Sequence, residues 1–541
     1  MMKIERMKAA IRMVVSLMLV FFGMCLTVPA INPILPSTAF IPDGEPHVFE
    51  YKGVMRVFLY GSRDERITAY CGYGHDVWSA PVTNLTRWTN HGEVLNVRQI
   101  WAIGCGIVTN QHFGAPDCVY NPVTKKYYFY TFLGAGWKSD GREGPLPGSS
   151  CYLEGFRNPG LKCFMAVSDN PAGPFSDPVF CDWLPANGAG TFDPSVLVDE
   201  QKDGSVRVYA YWGMKKGDQW AEIDPLDMHT VINGKTRKPD RTAVHKTLPE
   251  PDQFSGSSLF EASSIKKVAE GKYVFIYSSN ERKSALSYGY GNSPEGPWTY
   301  GGRIVENQIN WKGGNNHGSI ANINGRWVVF YHRATSNDFN RQAMAEPIEL
   351  RIEGDKVVIP SVEMTSQGVE TNGLDAFRRY NANCACYRTR HAFIDGSKRR
   401  PDGLNPIVGI DMPDTVVGYK FLNFGGDKVT DADRLKLKLD IQMIRNTAVS
   451  VQVARPNDAN EPLKRVSIAS FNLQDHSKAD GQYHEVVVPI TGLDGNTRLK
   501  AIGGLSGQLA LFLCFSNAGG ELCRFREFEF AKGDAPTPNP L

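Results

Sequence analysis

The pattern of apolar and polar positions divides this chain into two parts. In the first two thirds, one unit recurs five times: a polar or acidic residue, a short apolar strand, a turn and an aromatic-rich strand. The five copies begin at PDGEPHVF, APDCVYNP, TFDPSVLVD, LFEASSIKK and NHGSIANI. Four short strands in each of five units predict a five-bladed β-propeller, in which the innermost strand of every blade lines one central axis.

The repeat ends near residue 365, and a strict alternation of period two follows. It is clearest in LKLKLDI, VSVQV, HEVVVPI, LALFLCF and RFREFEF, which are separated by Gly and Asp turns. Such a pattern predicts a β-sandwich, here of jelly-roll type. The expected chain is therefore all-β: a five-bladed β-propeller over residues 31–365, a β-sandwich over 366–533 and a Pro-rich, disordered tail over 534–541.

Composition and charge agree with this expectation and exclude one class of partner. The chain contains 53 Gly, 33 Pro and 11% aromatic residues, which favours strands and tight turns over helices. Lys and Arg number 59 against 57 Asp and Glu, and no long run of one sign occurs. Nucleic acid is therefore not an expected partner.

The first 30 residues predict export. Basic residues precede an apolar run that is shorter than the roughly 20 residues of a spanning helix, and Val28-Pro29-Ala30 resembles a cleavage site. We expect a signal peptide over residues 1–30, a secreted or periplasmic mature protein and no membrane association after cleavage. An uncleaved anchor is the alternative.

Ten cysteines remain after the predicted cleavage, and an even number in an exported protein permits disulfides. Cys151 with Cys163 and Cys514 with Cys523 are plausible bridges, although connectivity cannot be read from sequence. No cysteine spacing is typical of a zinc site.

The repeat also predicts a cluster of acids. Residues at the equivalent place in each unit should meet at one end of the axis; they are Asp43 or Glu45, Asp117, Asp193, Glu261 and His317. Asp43 and Glu45 are two positions apart, so on an extended strand both carboxylates would point in the same direction. The alternative for any single acid is that it caps a turn.

The ordered motifs PDGEPHVF, TFDPSVLVD, LFEASS, NHGS, FYHR and RQAMAEPIEL resemble glycoside hydrolase family 43 over about residues 31–365. Its members are five-bladed propeller enzymes that remove arabinose, xylose or sometimes galactose from plant polysaccharides. The resemblance implies Asp43 as general base, Asp193 as modulator of pKa and orientation, and Glu261 as general acid. The first motif departs from the usual Asp-Pro, which leaves Glu45 as the alternative base.

Inversion at a glycosidic bond needs an acid on the leaving oxygen and a base on a water at the opposite face, about 6.5 to 9.5 Å apart. Opposite walls of a propeller funnel can supply that separation. Burial and the charge of Asp193 should raise the pKa of Glu261, whereas Asp43 should stay ionised.

The resemblance implies further site residues, each with a structural alternative. Those expected near the substrate are Asp117, His317, Arg333, Trp101 and Glu45, with Trp78 and Trp212 as further candidates for stacking on a sugar. His317 matches a histidine that often lies near a water or a calcium ion, so a structural Ca²⁺ is left open and no other cofactor is required. The alternatives are a buried, hydrogen-bonded histidine, an ion pair of Arg333 that closes the propeller, and Trp side chains that belong to the core.

The segment from GYKFLNFGG to RFREFEF resembles, more loosely, family 6 carbohydrate-binding modules. These modules usually bind sugar with a Trp and a Tyr, but no Trp follows Trp327, and Tyr483 would have to substitute. A structural buttress for the active-site rim is the equal alternative.

Together these features predict an inverting exo-glycosidase that releases terminal α-L-arabinofuranosyl or β-xylosyl units from a plant polysaccharide or oligosaccharide. The long insertion at residues 134–160 can wall off a pocket, which favours exo action. The alternatives are an exo-β-1,3-galactanase and a non-catalytic glycan-binding protein.

Overall fold

A computed structural model describes residues 31–65, 70–102, 111–135, 162–181, 183, 191–214, 218–248, 257–280, 285–306, 316–335, 339–389, 392–395, 407–516 and 520–533. The predicted signal peptide, the predicted tail and nearly all of the insertion at 134–160 lie outside these ranges. Neither α-helix in the described part of the chain is long and apolar enough for a membrane crossing.

Five sheets follow one another along the first two thirds of the chain and form the blades of a propeller. The first blade contains β1 (Glu45–Tyr51), β2 (Val54–Tyr60), β3 (Gly74–Pro81) and β4 (Thr89–Asn96), followed by helix α1 (Val97–Ala102). The second contains β5 (Gln111–Asn121), β6 (Lys126–Ala135), β7 (Lys162–Ser168) and β8 (Ser176–Phe180). The third contains β9 (Ser195–Glu200), β10 (Val206–Trp212), β11 (Gln219–Ile223) and β12 (Val244–Lys246).

The last two blades differ slightly from this plan. The fourth contains β13 (Leu259–Ala269), β14 (Lys272–Ser279), β15 (Ala285–Gly291) and β16 (Thr299–Glu306), and the fifth contains β17 (Ser319–Ile323), β18 (Arg326–Ala334) and β19 (Arg341–Pro347). A hairpin of β20 (Arg351–Glu353) and β21 (Lys356–Val358) follows, and β22 (Val362–Glu363) then pairs in parallel with β16. The predicted five-bladed architecture is confirmed, with three strands in the described part of the fifth blade.

Two-residue turns connect the first and second strands of the first and fifth blades in tight hairpins. Lys52 and Gly53 join β1 to β2 with φ of 54° and 75°, and Asn324 and Gly325 join β17 to β18 with φ of 53° and 84°. Positive φ at both positions matches the twist of the adjoining strands, and Gly at the second position adopts it without steric cost.

The amino-terminal segment closes the ring of blades. The Ile34 amide donates to the Ala343 carbonyl at 3.0 Å, which places this segment beside β19. The Asn32 side-chain amide donates to Glu346 Oε1 at 2.7 Å. The first and last blades are therefore joined by hydrogen bonds as well as by packing.

Buried apolar side chains lie between neighbouring blades rather than around the axis. Phe58, Phe113 and Phe129 pack between the first and second blades. Trp212 stacks on Trp183 between the second and third blades, and Trp78 packs between the fifth and first. The predicted sugar-stacking roles of Trp78 and Trp212 are wrong, because both indoles belong to these cores.

The last third of the chain forms two facing sheets. Its strands are β23 (Leu374–Asp375), β24 (Tyr380–Asn381), β25 (Tyr387–Arg388), β26 (Ala392–Asp395), β27 (Ile407–Ile410), β28 (Thr415–Asn423), β29 (Lys436–Met443), β30 (Ala448–Ala454), β31 (Val466–Asn472), β32 (His484–Pro489), β33 (Gln508–Ser516) and β34 (Cys523–Ala531). The helices are α2 (Thr497–Ala501) and the 3₁₀ turns Ala382–Cys384, Asp431–Asp433, Pro456–Asp458, Pro462–Lys464 and Leu473–Asp475.

One sheet has the order β23-β28-β33-β30-β31, with β25 beside β28. The other has the order β26-β27-β34-β29-β32, with β24 beside β34. Leu511, Leu439 and other inward-facing residues of both sheets form one core, as the period-two pattern predicts.

The predicted Cys514–Cys523 disulfide is wrong. Both cysteines are free thiols in the structure, Cys514 in β33 of one sheet and Cys523 at the start of β34 in the other. Cys163 is also a free, buried thiol, and its predicted partner Cys151 lies outside the described residues.

Candidate active site

Three predicted site residues stand at the same place in their blades. Asp43, Asp193 and His317 each lie two residues before the first residue of an inner strand, ahead of β1, β9 and β17. Glu261 is the third residue of β13. We call the group Asp43, Asp193, Glu261 and His317 the acid end of the axis.

The backbone turns sharply at the acid end. Asp43 has a φ of 58° and Asp193 a φ of 48°, and Ala262, next to Glu261, has a φ of 68°. The pairing of β13 with β14 shifts register on both sides of Glu261, which marks a bulge. Left-handed conformations of residues other than Gly cost free energy and are found mainly at functional sites.

Asp43 is buried and bound by groups that favour its carboxylate form. Its Oδ1 accepts from Arg341 Nη1 at 2.9 Å and its Oδ2 accepts from Ser62 Oγ at 2.6 Å. Burial alone would raise the pKa of Asp43, but Arg341, His332, His317 and Ser62 together lower it to about 2. Asp43 is therefore ionised at neutral pH, as predicted for a base.

Arg341 is itself held by a second buried acid. Its backbone amide and Nε each donate to Asp64 Oδ2 at 3.0 Å, and its Nη2 donates to Asp64 Oδ1 at 2.9 Å. The guanidinium is thus fixed between Asp64 and Asp43, and its charge is directed at the Asp43 carboxylate. On the other side, the Asp43 amide donates to His332 Nδ1 at 3.1 Å.

Asp193 and Glu261 form a coupled pair. Asp193 Oδ2 accepts from the Ala262 amide at 2.9 Å, which holds its carboxyl group beside Glu261. Burial, followed by the charges of Glu261 and Asp43, raises the pKa of Asp193 well above its ordinary value. Since two adjacent buried carboxyls do not both ionise easily, the pair retains a proton at a pH where Asp43 has lost its own.

His317 lies between the two sides of this site. Its Nδ1 is 3.8 Å from Asp43 Oδ1 and 3.9 Å from Asp193 Oδ2. Burial lowers the pKa of His317 to about 4, so the imidazole is neutral at neutral pH. The structure therefore brings together four of the predicted residues: both acids of the coupled pair, Asp43 and His317.

Glu45 and Asp117 lie farther along the axis, in a second group. We call Glu45, His47, Asp117 and Lys266 the paired level. Glu45 forms an ion pair with Lys266 and accepts from Ser264 Oγ at 3.1 Å. Burial raises the pKa of Glu45, and the Lys266 ammonium opposes that rise. These partners disfavour the alternative assignment of Glu45 as base, because its carboxylate is enclosed in the ion pair.

Asp117 joins the first three blades. Its Oδ1 lies 2.7 Å from His47 Nε2, and its Oδ2 accepts from the Val196 amide at 2.7 Å and from Ser195 Oγ at 3.3 Å. Both carboxylate oxygens are therefore occupied by protein partners. The substrate-contact roles predicted for Asp117 and Glu45 are wrong, and the structural alternative for Asp117 is the one that the structure supports.

Arg333 does not face the acid end. Its side chain is fully buried and donates to Gln342 Oε1 at 3.0 Å and to the carbonyls of Asn383 and Ala385. These carbonyls belong to the sandwich region, in and just after the 3₁₀ turn Ala382–Cys384. The predicted contact of Arg333 with sugar is wrong, and so is the alternative of an ion pair, since its described partners are neutral.

Trp101 lies in α1, and its side chain is outside the described residues. Four residues that act on the charge of Asp43 were not predicted from the sequence: Arg341, Asp64, Ser62 and His332. Ser62 and Asp64 lie one and three residues after the FLYG strand end, and His332 and Arg341 lie within the FYHR and RQAMAEPIEL motifs. The motifs thus contained a signal for these residues, but not for which of them meet.

Comparisons with known proteins identify similar chains in one enzyme family. The family model described as glycosyl hydrolases family 43 matches residues 58–355, a range that includes Asp193, Glu261 and His317 but begins after Asp43. The chain is 32% identical over 382 residues to a xylosidase/arabinosidase of Thermoclostridium stercorarium, covering 66% of this chain and 71% of that protein.

A second relative is an arabinoxylan arabinofuranohydrolase of Paenibacillus polymyxa, 30% identical over 198 residues, with 33% of this chain and 29% of that protein covered. Among solved structures, a family 43 arabinoxylan arabinofuranohydrolase from Bacillus subtilis in complex with cellotetraose matches with a TM-score of 0.43 and 19% identity. That match covers 93% of this chain and 97% of the other.

Proposed function

The chain belongs to glycosyl hydrolase family 43, and from this premise we propose that it is an inverting exo-glycosidase with Asp43 as base and Glu261 as acid. The observation that carries the proposal is the separation of charge states at the acid end. The surroundings of Asp43 lower its pKa to about 2, whereas burial and neighbouring charge raise the pKa of Asp193 beside Glu261. Two carboxyl environments with pKa values driven apart are what acid–base hydrolysis requires.

The proposed reaction uses these groups in one displacement. The Asp43 carboxylate takes a proton from a water that attacks the anomeric carbon, and Glu261 gives its proton to the departing glycosidic oxygen. The C–O bond to the leaving group breaks as the new C–O bond forms on the opposite face, so the configuration inverts. Asp193, beside Glu261, keeps the shared proton available and holds the acid in place.

The remaining residues of the site tune this reaction. Arg341, fixed by Asp64, favours the ionised form of Asp43. The neutral His317 imidazole separates the base from the coupled pair without adding a charge. Hydrolysis by two carboxyl groups and water needs no redox cofactor.

The names of the relatives support a pentose substrate. We propose terminal α-L-arabinofuranosyl or β-xylosyl units on a plant polysaccharide, because the relatives are named xylosidase/arabinosidase and arabinoxylan arabinofuranohydrolase. The basic, apolar and small-residue order of the first 30 residues supports a secreted or periplasmic site of action.

The test is to identify the product and its configuration. The chain from Ile31 onward is incubated with arabinan, arabinoxylan and arabinogalactan, and with p-nitrophenyl α-L-arabinofuranoside and β-xyloside. We expect one monosaccharide, arabinose or xylose, with inverted configuration in proton NMR spectra taken in the first minutes. Retention of configuration would contradict the mechanism, galactose release would redirect the substrate, and no release from any substrate would favour a glycan-binding protein.

A Glu261→Gln variant assigns the acid. Without its general acid, the enzyme should hydrolyse natural glycans much more slowly. The rate on activated aryl glycosides should fall only slightly, because their leaving groups need little protonation. Asp199→Asn is a matched control, because Asp199 is also a buried acid but binds Lys267 and Tyr273 away from the acid end. Equal losses on both substrate types would argue against Glu261 as the proton donor.

We propose that the β-sandwich, taken as residues 366–533, serves as a buttress of the propeller rather than as an independent glycan-binding module. Arg388 Nη2 donates to the Ala334 carbonyl at 3.0 Å, and Lys420 Nζ bonds Glu363 Oε2 at 2.7 Å. The Tyr483 ring faces the Arg526 guanidinium at 4.0 Å, which covers one face that a sugar would need. A Tyr483→Ala variant should bind insoluble arabinoxylan as the parent does; weaker pull-down would favour the binding module.

A further inference from the structure

The paired level contains a cation supplied by the protein itself. Lys266 extends from β13 of the fourth blade to β1 of the first, where its ammonium bonds Glu45 Oε1. The same nitrogen lies 3.4 Å from the Pro46 carbonyl oxygen and 3.4 Å from His47 Nε2. Lys266 therefore lies among the same groups that bring the acids of β1 and β5 together.

Without the ammonium, these residues have the composition of a metal site. One ligand atom each from Glu45, His47 and Asp117 lie within 4.8 Å of one another. Two carboxylates and an imidazole suit a divalent transition metal such as Mn²⁺, whereas Ca²⁺ prefers six to eight oxygen ligands. Among the described residues this is the one group of acids, histidines and cysteines that converges in this way, and His317 is not part of it.

The surroundings of His317 fit a calcium ion poorly. Its Nδ1 is almost equidistant from Asp43 and Asp193, and the charge of Asp43 is already balanced by Arg341. The described residues therefore offer no converging ligand set at the acid end, and the axial position that resembles a cation site is at the paired level.

We propose that the Lys266 ammonium is the axial cation of this propeller: it takes the place of a divalent metal among Glu45, His47 and Asp117, and removing it creates a metal-binding site. Charge supports this. With Lys266 absent, two buried carboxylates would face one imidazole, and burying unpaired charge is strongly unfavourable. A bound divalent ion would restore the balance that the ammonium now provides.

Access supports it as well. The His47 side chain is 17% exposed and that of Lys266 is 13% exposed, whereas Glu45 is only 3% exposed. An ion can thus reach the ligands from the side on which His47 and Lys266 meet solvent. Glu45 also accepts from Ser264 Oγ and Asp117 from Ser195 Oγ, so both carboxylates have partners that do not depend on the ammonium.

The experiment is a titration of the full mature chain with Mn²⁺, followed by electron paramagnetic resonance of the free ion. We compare the parent protein with Lys266→Ala, and with Lys267→Ala as the matched control. Lys267 is the next residue on β13, and its ammonium binds Asp199 and Glu270 instead. The expected result is one additional Mn²⁺ in Lys266→Ala, bound at least tenfold more tightly than any Mn²⁺ at this place in the parent or in Lys267→Ala.

Two further variants identify the ligands. The additional Mn²⁺ should be lost in Lys266→Ala/His47→Asn and in Lys266→Ala/Asp117→Asn, and Mn²⁺ should raise the melting temperature of Lys266→Ala but not of the parent. No additional ion in a folded Lys266→Ala would overturn the proposal. So would Mn²⁺ binding to the parent that disappears in His47→Asn, because metal and ammonium would then coexist.

If Lys266→Ala folds neither with nor without Mn²⁺, the parent and its His47→Asn variant decide the matter. Exclusion by the ammonium requires equal Mn²⁺ binding by these two proteins, and loss in His47→Asn contradicts it. None of these readouts depends on hydrolytic activity, so the proposal stands or falls separately from the assignment of the enzyme.

Discussion

The acid end and the paired level are both built from residues in or just before the inner strands of the blades, yet their charges are balanced in different ways. At the paired level every carboxylate has a cation or several hydrogen-bond donors of the protein as partners. At the acid end, burial and the charge of the neighbouring Glu261 raise the pKa of Asp193, whereas the Asp43 carboxylate is matched by Arg341. The comparison shows that inner strands of the same kind can hold two different groups of acids. Where the charges are balanced, the group stabilises the axis, and where they are not, it can react.

The largest expected effect separates Asp43 from Glu45. Asp43→Asn should lower kcat/KM by about 10² to 10⁴-fold, the usual contribution of a general base, because an amide cannot take the proton of the water. Glu45→Gln should mainly lower the melting temperature, since it leaves the Lys266 ammonium without its partner. Initial rates and thermal unfolding of both variants check this, and a catalytic loss in Glu45→Gln as large as that in Asp43→Asn would erase the distinction.

Removing the cation tests the paired level directly. Lys266→Met should lower the free energy of unfolding by about 3 to 5 kcal/mol at pH 8, the typical cost of breaking a buried ion pair. The remaining Glu45 would respond by taking up a proton, because burial raises the pKa of this carboxyl and the opposing ammonium is gone.

The deficit of Lys266→Met should therefore shrink as the pH falls toward 5. Urea unfolding of the parent and the variant at both pH values measures it. A deficit that does not change with pH would mean that Glu45 stays charged without Lys266, contrary to the proposed role of the ammonium.

The acid end should show its own pH signature in stability. Burial lowers the pKa of His317 to about 4 from its ordinary 6.5, so between these values the folded state binds fewer protons than the unfolded state. The contribution of His317 to the free energy of unfolding is therefore fully present above pH 6.5. It decreases by about 3 kcal/mol in total as the pH falls to 4.

In His317→Asn, the loss of stability between pH 7 and pH 4 should be smaller than in the parent by that amount. The matched variant is His75→Asn, because His75 is equally buried, has a pKa lowered to about 4, and lies between the first two blades rather than at the acid end. Both variants should flatten the pH dependence, but His317→Asn should in addition alter catalysis. Equal activity in the two would remove His317 from the site.

The fold was predictable from sequence because its signals are local. A fivefold unit and a period-two alternation are properties of neighbouring residues, and each specifies its architecture. The acids Asp193 and Glu261 were predictable for the same reason, since each occupies a fixed place in its unit.

The wrong or missing predictions concern residues whose role depends on the direction of a side chain or on contacts between distant parts of the chain. His332 and Arg333 are adjacent in β18, so they point to opposite faces: His332 toward Asp43 and Arg333 toward the sandwich. The alternation of a regular strand predicts that the Asp43 and Glu45 carboxylates point in the same direction. Asp43 instead precedes β1 and has a left-handed φ, so its carboxylate and that of Glu45 have different partners. Arg341 and Asp64 are far apart in the chain, and only ring closure brings them together.

The smallest expected effect comes from charges that are paired but exposed. Arg379 bonds Glu485 at 3.1 Å and Glu529 at 3.3 Å on the outer face of the sandwich, with its side chain 47% exposed. Water screens such pairs, so Arg379→Ala should change the free energy of unfolding by less than about 1 kcal/mol, against several for Lys266→Met. Urea unfolding of both variants in one buffer makes the comparison. If Arg379→Ala lowered the free energy of unfolding as much as Lys266→Met, the contribution of an ion pair would depend on pairing alone. The burial that distinguishes the axis from the surface would then explain nothing.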